Sequence, residues 1–329
     1  MQKIYVVMPD KHPYSLCAKS FAKGFKHAGF FVEKENSSKL DNEHVLDFNP
    51  DIVMCFNFAE LKDGLLDKIY QKNNDCIFIF DFLAALNKKQ EKKNLELLDK
   101  FQGKKLVFTA DKTNLNVFSD AKYLPNGIHY RRYKSSYQGY SNGITILSNP
   151  DNINVLKVIT DLLAEFGKIS IYADEVDYMN SLDNELWSEI ENPELKNLFR
   201  DSYVSDIADE KSRAEVLSTS FATVVPATRT VNGIDFRILE AAASSAFVIC
   251  EENPEVIRLF DVGREIETYK TTEELTEKIK LYLKHPSFAR TIADNARRAA
   301  VNNHAISDRI RKIFTIIKKE FKKTGEENG

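Results

Sequence analysis

Short unbroken apolar runs alternate with stretches in which apolar residues recur every three or four positions. The first run, Lys3 to Met8, reads as a buried strand, because a strand covered on both faces shows no polar alternation. Leu16, Cys17, Phe21, Phe25 and Ala28 then form a helical stripe over residues 15–28 that Gly29 can close. Residues 30–32, 51–56, 76–80 and 106–109 read as further strands. Leu61, Leu65, Leu66 and Ile69 mark a helix, and Leu95, Leu98 and Phe101 mark a lysine-rich one. A short helix is expected over residues 111–118. Strands of about five residues alternating with helices imply a parallel, doubly wound sheet.

The pattern breaks at Tyr123-Leu-Pro-Asn-Gly-Ile128 and a polar, tyrosine-rich connector, 130–142. It then restarts with a strand over 143–147 and a helix carrying Val155, Val158, Leu162 and Phe166, preceded by the capping stretch Asn149 to Asn152. A strand at 169–172, a helix at 211–218 and a strand at 222–225 follow. Residues 174–202 are acidic and weakly patterned, with the single Trp at 187. The expected division is an N-terminal domain over 1–140, a C-terminal domain over 141–304 and a last helix over 305–324. That helix has a stripe of Ile306, Ile310, Ile313, Phe314, Ile317 and Phe321. A stripe this long is expected to pack on protein, with a membrane surface as the other option for a basic amphipathic helix.

Composition narrows the class. The chain has 329 residues, 43 % hydrophobic and 29 % charged, a globular balance for two domains. No apolar run approaches the roughly 18 residues of a membrane span, and the N-terminus lacks a signal peptide pattern, so a cytoplasmic location is expected. Cys17, Cys55, Cys76 and Cys250 stand singly, with no CxxC, which supports neither a disulfide framework nor a zinc site. A net charge of −3 argues against a nucleic-acid binder. The charge is uneven: residues 1–140 hold 22 Lys+Arg against 17 Asp+Glu (+5), and the remainder 24 against 32 (−8). The basic half suits an anionic acceptor, a peripheral membrane contact, or no partner beyond solvent.

The stretch from Val231 to Cys250 carries the chemistry. Asn232-Gly233 signals a turn, Asp235 suits a first helical turn, and Ala241 to Ala243 are helix formers with almost no side chain. Residues 246–250 read as a buried strand. Gly233, Arg237 and Glu240 fall at helical spacing near the helix start. A helix N-terminus flanked by an Arg and a Glu can hold a nucleotide diphosphate and its ribose. The same spacing also fits a solvated surface pair worth a few tenths of a kcal/mol.

Arg237-Ile-Leu-Glu240-Ala, followed by small residues and an apolar strand, resembles the donor-binding segment of GT-B glycosyltransferases. The order that follows resembles the spore maturation protein CgeB-like glycosyltransferases: Pro254 to Phe260, Gly263-Arg-Glu265, Tyr269, Thr272 to Leu275, Tyr282 to Pro286, Ile292-Ala293, His304 and Arg309. The match spans about Val231 to Phe314. Leu124-Pro-Asn-Gly127 is similar to the stretch that closes the first domain in many GT-B enzymes. The family has a Gly shortly after the Glu where this chain has Ser244-Ser245. Many retaining members have a second Glu where this chain has Asn232.

The resemblance implies two Rossmann-like doubly wound domains facing across a cleft. It also implies a bacterial hexosyltransferase-like enzyme that moves a sugar from a nucleotide-diphospho-sugar to an unknown acceptor: glycan, protein or small molecule. Glu240 would take the ribose hydroxyls, and Arg237 with the backbone near Gly233 the diphosphate. Asn232, Arg229 and Asn149 complete the donor-side candidates, with Arg213 a more distant cation. No Asp-x-Asp, GxGxxG, P-loop, HExxH or GxSxG is present, so a metal-independent reaction without a cofactor is expected. On the acceptor side, His12 and Asp10 follow the first strand, at the edge where doubly wound sheets bind ligands. His12 is the candidate general base. A binding or assembly protein that lost activity, and a sugar-nucleotide epimerase, are the alternatives.

Overall fold

The computed structural model describes residues 1–10, 14–56, 64–133, 139–148, 153–173, 188, 190–204, 210–227 and 232–321. Contacts divide the chain into two compact units, Met1–His129 with the segment from His304, and Tyr130–Asn303. The second unit begins at Tyr130, ahead of the 140/141 boundary expected from the polar connector. The reason is local: Arg132 Nε donates to Glu210 at 2.8 Å and Arg297 donates to the Tyr133 carbonyl at 2.7 Å, so the start of the connector is tied to the second unit. Residues 134–138 of that connector lie outside the described residues, as do Trp187 and most of the acidic stretch around it.

In the first unit, β1 (Lys3–Met8), β2 (Phe31–Asn36), β3 (Ile52–Phe56), β4 (Ile77–Phe82), β5 (Lys104–Thr109) and β6 (Lys122–Tyr123) form one parallel sheet in the order β2-β1-β3-β4-β5-β6. The central strands are mostly apolar and buried, with Asp81 of β4 an exception, and they carry the core from Tyr5 and Val53 to Phe78, Phe80 and Phe82. Between them run α1 (Tyr14–His27), α2 (Asn42–Phe48), α3 (Leu65–Lys72) and α4 (Lys88–Lys100). The helix expected from Leu61 begins at Leu65 among the described residues. Strand β2 continues through polar Glu33 to Asn36 because it is an edge strand paired only with β1. The helix expected over 111–118 is a 3₁₀ turn, Lys112–Asn116, capped by Asp111. Helix α2 has no sequence stripe, since its seven residues bury only Val45 and Phe48.

The second unit repeats the plan. Strands β7 (Asn142–Leu147), β8 (Ile169–Tyr172), β9 (Tyr203–Val204), β10 (Ser220–Val225), β11 (Val248–Glu251) and β12 (Glu267–Tyr269) form a parallel sheet in the order β12-β11-β10-β7-β8-β9. Its helices are α5 (Ile153–Phe166), α6 (Pro193–Ser202), α7 (Glu210–Thr219), α8 (Phe236–Ala243), α9 (Pro254–Leu259), α10 (Thr272–Lys284) and α11 (Pro286–Asn302). Every residue of α8 is buried. Its alanines let it pack closely on α11, whose own buried face is Ala289, Ala293, Ala296, Ala299 and Ala300.

The last helix, α12 (Ile306–Phe321), packs on α1 of the first unit. Ile306, Ile310, Ile313 and Ile317 are buried, and Phe314 stacks on Phe30 with ring centroids 4.7 Å apart. The approach is close because α1 has Gly24 there: a Cβ at that position would lie 2.5 Å from Ile310 Cδ1. Arg309 explains the Leu124-Pro-Asn-Gly127 stretch. Its guanidinium donates to the carbonyls of Pro125 (2.9 Å) and Asn126 (3.3 Å), while Gly127 leaves room for the Arg309 stem and Ile306.

Candidate functional site

In the second sheet the chain steps outward from β7 through β8 to β9, then returns to pair β10 on the other side of β7. Connections leave β7 and β10 in opposite directions, and such a switch point opens a crevice beyond the carboxyl ends of the strands, where doubly wound sheets bind ligands. Leu147 ends β7 at this point, and α8 starts beside it.

Helix α8 begins later than the residue spacing implies. Asp235 is its N-cap, its carboxylate accepting from the Arg237 backbone N–H at 2.9 Å, and Gly233 precedes the helix rather than sharing a face with Arg237 and Glu240. The same carboxylate accepts from Arg237 Nε (3.0 Å) and Nη2 (2.7 Å), and Arg237 Nη1 donates to the Leu147 carbonyl at 3.2 Å. Burial works to raise the Asp235 pKa, but the guanidinium outweighs it and holds the carboxyl below the usual range. The anion at the helix start is therefore the protein's own. Arg237, only 3 % exposed, ties α8 to the end of β7 instead of presenting its charge to solvent.

Glu240 lies one turn further along and is fully buried. It does not pair with Arg237, so the solvated surface pair is absent. Its two oxygens accept from Arg213 of α7, at 2.7 Å from Nε and 2.8 Å from Nη2. This two-pronged geometry suits a guanidinium and a carboxylate taken out of water together. Arg213 in turn lines a small cavity with Leu147, Tyr172, Val216 and Leu217. Burial raises the Tyr172 pKa, and the Arg213 charge partly opposes it. Tyr172 is the site residue that the sequence reading missed; Arg213 was named only as a distant cation, because its pairing with Glu240, 27 residues away on another helix, leaves no periodic trace.

The Ser244-Ser245 departure has a structural counterpart. Ser245 sits at φ 60°, just past the end of α8. Its N–H bonds the Ala242 carbonyl and the Ala246 N–H bonds that of Ala241, the double closure that normally ends on glycine. The backbone shape is kept with a side chain in a region that favours glycine.

In the first sheet the switch point lies between β1 and β3. Asp10 follows β1 and is bound to the turn after β2: it accepts from Ser37 Oγ (2.8 Å), Ser38 Oγ (2.6 Å) and the Ser38 N–H (3.1 Å). Burial would raise its pKa, but the Ser38 and Ser37 bonds prevail and lower it. Asp10 thus anchors two loops at this edge. His12, Arg229 and Asn149 lie outside the described residues. Asp81, near the end of β4, is a buried carboxyl whose Oδ1 has no partner among the described residues, and burial pushes its pKa up to about 8. The apolar run suggested that this strand stops at Phe80; pairing with β3 and β5 carries it through Asp81 to Phe82. Among the described residues no three His, Cys, Asp or Glu side chains gather to hold a metal ion.

Residues 179–315 match a family model described as Glycosyl transferase-like. No curated protein matches in sequence. Among solved structures, HepE of Anabaena in complex with UDP and glucose superposes with a TM-score of 0.67 at 13% identity, covering 97% of this chain and 100% of that one. Sucrose-phosphate synthase from Thermosynechococcus elongatus gives 0.67 at 10% identity over 98% and 100%. A glycosyltransferase from Rickettsia africae gives 0.64 at 14% identity over 97% and 98%. The chain therefore has the GT-B fold over nearly its whole length, and its residues 179–315 are similar to the glycosyl transferase-like family.

Proposed function

We propose that the chain transfers a sugar from a nucleotide-diphospho-sugar held by the second unit to an acceptor received at the carboxyl edge of the first, without a divalent metal. The observation that carries this is the switch point at β7 and β10, where α8, its two buried ion pairs and the Arg213-lined cavity converge. A uridine nucleotide is the first donor to test, because HepE and an alpha-glucosyltransferase of the same fold have been crystallised with UDP or UDP-glucose. In this reading Glu240 and Arg237 are positioning residues: Glu240 sets Arg213 at the cavity, and Arg237 fixes the start of α8 against β7. The backbone of Asn232 and Gly233 meets the diphosphate, Arg229 and Asn149 remain donor-side candidates, and His12 takes the acceptor proton. Stabilising the leaving diphosphate by fixed dipoles and cations suits a site with no Asp-x-Asp. Within the class, the order of segments resembles that of the CgeB-like enzymes, and we read the chain as one of these, working in a bacterial cytoplasm.

Calorimetry with UDP and the other common nucleoside diphosphates in chelator tests the donor side. Binding that requires added Mg²⁺ or Mn²⁺ would end the metal-free reading. A binding-only role is favoured by one observation, that the carboxylates of Asp235 and Glu240 both already face arginines. It predicts nucleotide binding with no sugar released from any nucleotide sugar, whether or not acceptor is present.

A further inference from the structure

Helix α4 gathers most of its positive charge at its start, although Glu91 stands in its first turn and Lys100 in its last. Lys88, Lys89, Lys92 and Lys93 are all exposed and crowd its first turns, while Glu96 and Asp99 follow towards its end. Cations at the positive end of a helix dipole, and like charges four apart (88 with 92, 89 with 93), both oppose helix formation. Helix α10 shows the ordinary arrangement, with Glu273 and Glu274 first and Lys284 last. None of the four lysines has an ion-pair partner among the described residues; the only acid on those turns is Glu91, on the half-buried flank. At the opposite edge of the same sheet the lysines are paired: Lys104 with Asp75 at 2.6 Å and Lys72 with Asp47 at 3.6 Å.

The place of this charge follows from topology. Helix α4 leaves the carboxyl end of β4, so its first turns stand at the ligand edge of the first sheet. That start is held firmly. The Asn114 side chain donates to the Ala84 carbonyl (2.8 Å) and to Thr109 Oγ1 (2.9 Å), and accepts from the Leu86 N–H (3.1 Å), locking the segment before α4 to the end of β5. A capping box between Asn87 and Gln90 fixes the first turn.

We propose that this lysine face binds an acceptor bearing at least two phosphates. The proposal rests on the reading that the acceptor enters at the first unit, and it names that acceptor's chemistry. Lysines recur one turn apart, about 6 Å along the helix, a spacing that two phosphates of one extended ligand can match. Lysine binds phosphate as a point charge and needs no fixed fork geometry. A membrane surface fits less well. The large hydrophobic side chains exposed among the described residues are Met1, Phe31, Ile153, Ile257, Leu281, Leu283 and Phe288, and none lies on α4 or on the segment that leads into it.

The test uses the full chain, sodium tripolyphosphate as probe, and calorimetry at low and at physiological ionic strength with UDP saturating. The wild type should bind the probe, more weakly as salt rises. The variant Lys88→Gln/Lys89→Gln/Lys92→Gln/Lys93→Gln should lose roughly tenfold or more in affinity, and Lys72→Gln/Lys104→Gln, at the other edge, should lose none. Glutamine keeps the helix propensity, so both variants should melt close to the wild type. Equal probe affinity in the four-lysine variant overturns the proposal. So does binding to phosphatidylglycerol vesicles without binding to tripolyphosphate, which would make the face a membrane contact. UDP binding is read separately: its absence would refute the donor site and leave the lysine comparison intact.

Discussion

Replacing Glu240 with glutamine tests the centre of the second unit. The carboxylate is fully buried and Arg213 is 4 % exposed, with both carboxylate oxygens bonded to its guanidinium. The substitution deletes the negative charge and turns one acceptor into a donor facing Arg213. What remains is a guanidinium out of water with no counter-charge. Breaking a buried pair this way costs roughly 3–5 kcal/mol. For a unit of this size each kcal/mol lowers the melting temperature by about 2–4 °C, so a fall of roughly 6–20 °C is expected. Arg213→Met should destabilise by a similar amount. The double variant Arg213→Met/Glu240→Leu should recover most of the loss, because two apolar side chains carry no desolvation penalty. Thermal and urea melts of the wild type, Arg213→Met, Glu240→Leu and Arg213→Met/Glu240→Leu form the cycle, with Glu240→Gln read beside it. Nucleotide titration of Glu240→Gln below its melting temperature adds the functional reading: affinity should fall, since Arg213 loses the group that aims it. A Glu240→Gln protein destabilised by less than about 1 kcal/mol would match an exposed pair and refute the burial argument. Unchanged nucleotide affinity in the folded variant would remove Glu240 from the donor site.

Three further outcomes follow from the structure. Ser245→Gly relieves a left-handed backbone at the end of α8, and should stabilise by about 0.5–1 kcal/mol once the extra freedom of glycine in the unfolded chain is subtracted; a lower melting temperature would show that the Ser245 side chain is needed there. Asp81 keeps its proton in the folded state up to about pH 8 but loses it near pH 4 when unfolded. The folded protein therefore binds more protons across that window, and stability falls as pH rises through it, by at most roughly 4 kcal/mol at pH 7. Asp81→Asn should flatten this slope in melts from pH 5 to pH 8, and an unchanged slope would mean that Asp81 is ionised. Gly24→Val would drive a side chain into Ile310 and Ile306 and should cost about 1–3 kcal/mol by overpacking α1 against α12; a melt like the wild type's would show slack in that contact.

The order of strands and helices, and the parallel class of both sheets, were legible in the chain because burial on both faces of a strand writes itself as an unbroken apolar run. Lys3 to Met8 is the clearest case. The stripe of α12 was equally plain, since four isoleucines at helical spacing need an apolar surface to cover them. The sequence also placed α8 and the short strand after it, through small residues and the Arg237–Glu240 spacing. It did not decide which charge meets which. Helical spacing put Arg237 with Glu240, but the fold gave Arg237 to Asp235 and Glu240 to Arg213. A guanidinium has several rotatable bonds, and its partner is set by which side chains share its desolvated space, not by their distance along the chain. The same holds for Asp81, whose burial breaks the apolar run that defines its strand. The 3₁₀ turn at Lys112–Asn116 and the seven-residue α2 were set by the Asp111 and Asp41 caps and by the loops they close. Local pattern records how much of each element is hidden from water; only the packed chain determines what each hidden polar group bonds.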